Sequence, residues 1–277
     1  MTTTIDVIAY EAFLKQYNDT VLSSIKQRSH HATTPGWFVG EVSSVLNGLM
    51  ARQATLTLSM AANPSIWNEH IAPLILRSMI DAVISFRWIL KSPERRCQEY
   101  IGYGLGQAKL AISHFEKKLN IDPEDGIAKS LMSFKEAWIE SQKMMPFVEV
   151  NVGSWSGKSV RQMAIEAGDE DLYNFSFTPF SSCVHNQWDH VHVFNTTRCD
   201  NPLHKWHRIP SVTNIGIADD YLFRTAKYFD LTMSSFDVAA GRDDGFDGAS
   251  DFFRRNINSI YKNDNGEETA SDNQSND

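Results

Sequence analysis

Seven side chains able to bind a metal or carry a proton fall between residues 183 and 207: Cys183, His185, His190, His192, Cys199, His204 and His207. Five of the nine histidines and two of the three cysteines lie there. Imidazole titrates near neutrality and is the commonest metal ligand, so this stretch is the first place to look for chemistry. His204 and His207 stand three apart, which puts them on one side of a helical turn, with Cys199 and Asp200 close by. A zinc or other first-row ion held by three of these donors is one reading. A metal-free polar loop is the other, because the paired C-x-x-C and the H-E-x-x-H of known zinc modules are missing. Ser181 or Ser182 is expected to cap a helix running to about Phe194. That places His185 near a helix start, where the dipole suits an unprotonated base or ligand. His192 then shares its face, with Asp189 between them as an orienting carboxylate.

A second constellation lies upstream. Arg77, Asp81, Ser85 and Trp88 form one helical stripe within an otherwise apolar run. Buried charge is costly unless paired, so this is either a buried i,i+4 ion pair or a polar pocket floor with Arg77 as an anion clamp. The next helix offers a matching stripe, Tyr100, Tyr103, Gly104 and Gln107, in which Gly104 admits a close neighbour. Gly153 to Ser159 looks like a phosphate loop but is one residue short of a Walker A motif, with no βαβ pattern around it and no apolar strand ending in Asp after it. It reads instead as a helix start, with Lys158 and Arg161 projecting into one groove. Arg198 and His204 fit the Arg-to-His spacing of HEPN-type helical ribonucleases, in which Arg stabilises phosphorane charge and His moves the 2′-hydroxyl proton. Pro202 works against the helical placement of that pair.

The elements that must hold these residues are mostly helical. Apolar positions recur at helical spacing over Ile5 to Lys26, Trp37 to Ala62, Ile71 to Lys91, Glu94 to Leu119 and Pro123 to Met145. A short strand at 147–152 and a helix from Lys158 to Ala167 follow, the latter closed by Gly168. Thr178-Pro179 interrupts the next stretch, Asn195 to Asn214 is a long loop, and helices resume at 217–239 and 250–261. The predicted fold is all-α: a multi-helix bundle over residues 1–262 with an irregular His-rich loop, then a disordered acidic tail over 263–277. The tail carries Asp264, Glu267, Glu268, Asp272 and Asp277, and without these five the net charge of -8 falls to -3. That near-balance leaves no strongly basic face for nucleic acid, so any such contact needs a local patch. A hydrophobic fraction of 42% suffices for a core. Three scattered cysteines suit a reducing compartment, and charges interrupt every apolar run too soon for a membrane span. A cytoplasmic location is therefore expected.

Several phrases then line up in order. They are Leu49-Met-Ala-Arg52-Gln53, Ile75-Leu-Arg77-Ser-Met-Ile-Asp81, Trp88-Ile-Leu90, Tyr103-Gly-Leu-Gly-Gln-Ala-Lys109 and Trp155 through Arg161 to Ala164. After them come Ser182-Cys-Val-His185 with Trp188, and Cys199 through His204 and His207 to Pro210. Over roughly Gly48 to Pro210 the chain resembles the bacterial family of unknown function numbered 5677. That family usually has Gly after the histidine matching His185, and here Asn186 stands instead, so a different local turn is expected. The resemblance implies that Arg77, Asp81, Arg161, Ser182, His185, His204 and His207 belong to one recurring pattern. In a single pocket, Arg77, Asp81 and Ser182 would bind substrate, while Arg161, His185, His204 and His207 would act on it. Helical families of this kind often resemble HEPN-type folds, so a distant likeness to those domains is expected by analogy of fold. The leading expectation is a metal-independent phosphodiesterase or ribonuclease in stress or phage defence, acting on RNA or a small anionic ligand. A non-catalytic binding or assembly module and a metal-dependent hydrolase of a small substrate are the alternatives. The sequence does not say whether a cofactor is bound.

Overall fold

Helix α3 (Ala72–Leu90) is apolar on nearly every side: Leu76, Met79, Ile80, Val83, Ile84, Phe86 and Ile89 are fully buried. A helix with so wide an apolar face must be largely enclosed by others, and α3 is the hub around which the bundle is built. The computed structural model describes residues 5–29, 40–142, 155–212, 216–242 and 247–261. In chain order α1 (Val7–Ser29) and α2 (Gly40–Ala61) precede α3, and α4 (Pro93–Ile121) and α5 (Gly126–Ser141) follow it. Then come α6 (Val160–Ala167), the single turn α7 (Glu170–Leu172), a π-helical turn (Tyr173–Phe177), α8 (Thr178–Val184) and α9 (Trp188–Phe194). A two-stranded antiparallel hairpin, β1 (Thr196–Arg198) with β2 (Arg208–Pro210), leads to α10 (Asp220–Ala239) and α11 (Ala249–Asn256). Among the described residues the fold is all-α apart from that hairpin. The expected strand at 147–152 and the acidic tail lie outside the described residues. Among the described residues no helix is long and apolar enough to cross a membrane.

α2, α4, α6, α8 and α10 all contact α3. On α1 the buried stripe is Phe13, Tyr17, Val21, Ser24 and Arg28, spaced as a helix face requires. Each fully buried large apolar side chain contributes roughly 1.5–3 kcal/mol. Polar ties fix the register of the helices: the Gln53 amide on α2 donates to the Met79 carbonyl of α3 (2.9 Å) and to Thr232 Oγ1 of α10 (3.1 Å). Arg28 pairs with Asp237, joining α1 to α10. At the ends, Asp6 N–H donates to the Ile260 carbonyl at 2.7 Å and Ile5 bridges Tyr261.

Four local readings of the sequence are corrected here. Pro179 does not interrupt: Phe177 and Thr178 before it stay right-handed helical, and the π-helical turn runs directly into α8 through it. Ser181 and Ser182 are not caps, because α8 already begins at Thr178. The helix expected to run to Phe194 breaks at His185–Gln187 into α8 and α9. The expected loop from Asn195 contains the β1–β2 hairpin.

Candidate functional site

Between α2, α3 and α4, with Trp155 from the segment before α6, lies a cleft of about 370 Å³. Its polar lining is Arg52, Ser78, Asp81, Ser85, Tyr100 and Tyr103, and Trp155, Leu49 and Ala82 supply apolar wall. Two stripes read from the sequence, Asp81 with Ser85 and Tyr100 with Tyr103, therefore face one space. Arg52 stands exposed at the rim, and among the described residues it makes no ion pair. Trp155 is braced: its ring meets Tyr100 edge-on at 4.9 Å and Trp88 at 5.4 Å. The Trp88 indole N–H in turn donates to Glu166 at 2.6 Å, and Lys158 Nζ holds the other oxygen of that carboxylate at 2.6 Å. The Lys158 and Trp88 bonds keep the Glu166 carboxyl below the usual range. Burial pushes the Asp81 carboxyl above its ordinary value, against the pull of Arg77. Tyr100 is likewise raised, by burial first and by the Asp81 charge second. Gly104 is not needed for close approach: an added Cβ would meet Trp138 Cη2 at 3.9 Å, an ordinary contact.

Arg77 is not an anion clamp in this cleft. Its Nε donates to Ser181 Oγ at 2.9 Å, its guanidinium lies 3.1 Å over the Phe177 ring, and it approaches Asp81 only to 3.8 Å. The pair is no buried ion pair either, because the Asp81 side chain keeps 45% of its surface. Arg77 instead locks α3 to α8 and the π-helical turn. Ser182 donates to Asp189 Oδ1 at 2.5 Å, tying α8 to α9. That bond is the largest influence holding the Asp189 carboxyl below its ordinary value.

His185 is the C-terminal cap of α8, exposed, at the carbonyl end rather than the amide end of a helix. Asn186 N–H bonds the Cys183 carbonyl (3.3 Å) and Gln187 N–H the Ser182 carbonyl (2.9 Å), the two bonds of a Schellman stop. Asn186 has φ 50°, the left-handed region that glycine favours and asparagine tolerates best among other residues. Asn186 thus takes the left-handed conformation that a glycine would adopt without strain. Because the helix breaks here, His185 and His192 do not share a face. His190 packs edge-on against His70 at 5.6 Å, and burial, then His70, lowers its pKa.

His204 and His207 are exposed at the tip of the hairpin. With Cys199 they place one donor atom each within 4.8 Å of one another. Cys199 Sγ lies 3.7 Å from His204 Nδ1, and the His204 and His207 rings are 5.3 Å apart. Arg198 belongs to β1, so the Arg198–His204 spacing spans a hairpin and not a helix. Arg161, on α6, is exposed 4.0 Å from Glu170, while Lys158 is taken by Glu166, so they share no groove of free cations. Among the described residues no hydrogen bond or ion pair joins Arg161, the Arg77–Ser181 lock and the hairpin histidines.

The other two thiols are enclosed. Cys183 Sγ faces the carbonyls of Glu69 (3.6 Å) and His70 (3.4 Å), and burial raises its pKa. Cys97 on α4 is fully buried, its thiol pushed up to about 12 by burial and then by Glu41.

Sequence reasoning missed that Arg52 and Trp155 line the same cleft as Asp81. Both stand in phrases that carried the family resemblance, which was the signal available. No curated protein and no solved structure matches the chain. The family of unknown function DUF5677 matches residues 43–202, a stretch that holds the cleft, the Asn186 turn and Cys199, and the chain belongs to that family.

Proposed function

We propose that the protein is a binding module that takes a small ligand joining a planar ring to an anionic group, a mononucleotide or a nucleotide of single-stranded RNA, in the α2–α3–α4 cleft. One observation carries this: Arg52, Asp81, Tyr100, Tyr103 and Trp155, from four separated stretches, line the same 370 Å³ space. That volume is in the range of small-molecule sites. Aromatic faces stack on any base, worth about 1–3 kcal/mol each. A guanidinium at the rim suits phosphate, and the Asp81 carboxyl can pair with ring N–H groups. No histidine lines the cleft, so it has no imidazole to carry a proton. A phosphodiesterase using Arg77, Arg161, His185, His204 and His207 would need these residues to converge. Binding is therefore favoured over cleavage.

The test is titration of the four common nucleoside 5′-monophosphates and a short single-stranded RNA into the full chain, followed by tryptophan fluorescence. Saturable binding is expected, weakened about tenfold or more in Arg52→Ala, as loss of a charged hydrogen bond requires. No saturation with any of them, or equal affinity in Arg52→Ala, would remove the proposal. Cleavage of the RNA that disappears in His185→Ala or His204→Ala would restore the ribonuclease reading instead.

A further inference from the structure

We infer that Cys199, His204 and His207 form a site for one thiophilic first-row divalent ion, zinc above all, at the tip of the β1–β2 hairpin. A thiolate with two imidazoles selects zinc or cobalt over magnesium and calcium, which prefer oxygen. Tetrahedral zinc, with bonds of about 2.3 Å to sulfur and 2.0–2.1 Å to nitrogen, holds its ligand atoms roughly 3.3–3.6 Å apart. Cys199 Sγ and His204 Nδ1 already stand at 3.7 Å, and all three donors lie within 4.8 Å. Rotation of exposed side chains closes the difference.

The backbone supplies the convergence. Cys199 N–H bonds the His207 carbonyl at 3.1 Å, immediately beyond the Arg198–Arg208 rung of the ladder. His207 N–H bonds the His204 carbonyl at 3.1 Å and His204 N–H the Asn201 carbonyl at 3.0 Å. These three bonds turn the chain so that residues 199, 204 and 207 face one point. The tip has little else to hold it: Leu203 and Trp206, its large apolar residues, are 86% and 88% exposed. A cross-link through metal gives such a tip the order that packing does not. Three protein ligands leave a fourth position for water or a donor from another molecule. This inference is independent of the cleft.

The experiment uses untagged, reduced full-length protein titrated with zinc and, separately, with cobalt. One equivalent of zinc is expected, and cobalt should give the sulfur-to-metal charge-transfer band and strong visible bands of four-coordinate thiolate ligation. Cys199→Ser should lose the charge-transfer band. His204→Ala and His207→Ala should each weaken zinc binding by roughly tenfold or more, while His114→Ala, an exposed histidine of α4, should not. Near-ultraviolet circular dichroism checks that each variant keeps its fold. Absence of stoichiometric zinc, or cobalt bands that persist in Cys199→Ser, would overturn the site.

Discussion

Asp81 serves two neighbourhoods, with Arg77 on one side and the cleft on the other, and its two roles pull in opposite directions. Partial burial raises its carboxyl pKa above the ordinary aspartate value, so the folded state holds the proton more tightly than the unfolded chain does. The stability this group contributes is then full below its unfolded pKa and is lost as pH rises through the folded one. Asp81→Asn removes that dependence. Its melting temperature, compared with the wild type from about pH 4 to about pH 7, should gain on the wild type as pH rises. A difference that shrinks with pH would mean that Arg77 outweighs burial. The stripe carrying Asp81 and Ser85 was legible in the sequence, because polar residues at helical spacing in an apolar helix have few explanations. The direction of Arg77 was not. An arginine reaches far, and its Ser181 and Phe177 partners lie about a hundred residues away in sequence. Arg52 was silent for a different reason, since one exposed arginine on a helix resembles any solvated charge.

The break between α8 and α9 shows what pattern reading misses in elements. Neither glycine nor proline marks it, and apolar spacing runs on through it. The stop depends on Asn186 holding φ 50°, a choice that composition does not reveal. Asn186→Gly should keep or raise the unfolding free energy, since glycine takes this conformation without strain. Asn186→Val should lower it by about 1–2 kcal/mol, the cost of a left-handed residue with a branched Cβ. Chemical denaturation of both variants decides the matter, and equal stability would remove the strain argument. The hairpin was hidden by brevity, as three-residue strands are too short for alternation to register. The long helices were legible because each repeats its pattern over several turns and ends at a recognisable stop, such as Ser92-Pro93 after α3.

At the scale of the molecule, the helical class followed from those repeats, and the hub position of α3 follows from the width of its apolar face. The shared pocket expected of the Arg, Asp and His residues did not follow. Order along the chain says which residues recur together, not which meet. Arg77 turned to α8, Arg161 stayed on α6 beside Glu170, and the histidine pair went to the hairpin. The three cysteines divide along the same lines, and their division makes the protein its own stopwatch. An aromatic disulfide reagent should modify one thiol rapidly in the native state, that of Cys199, and zinc should slow it. Cys97 and Cys183 must wait for the structure to open, so their two rates time two separate events. One is release of α4 from the core, and the other is parting of α8 from the chain that leads into α3. Rapid reaction of two thiols in the native protein would contradict this. If Cys183 yields well before Cys97, the π-turn side of the molecule unlatches while the rest stays shut.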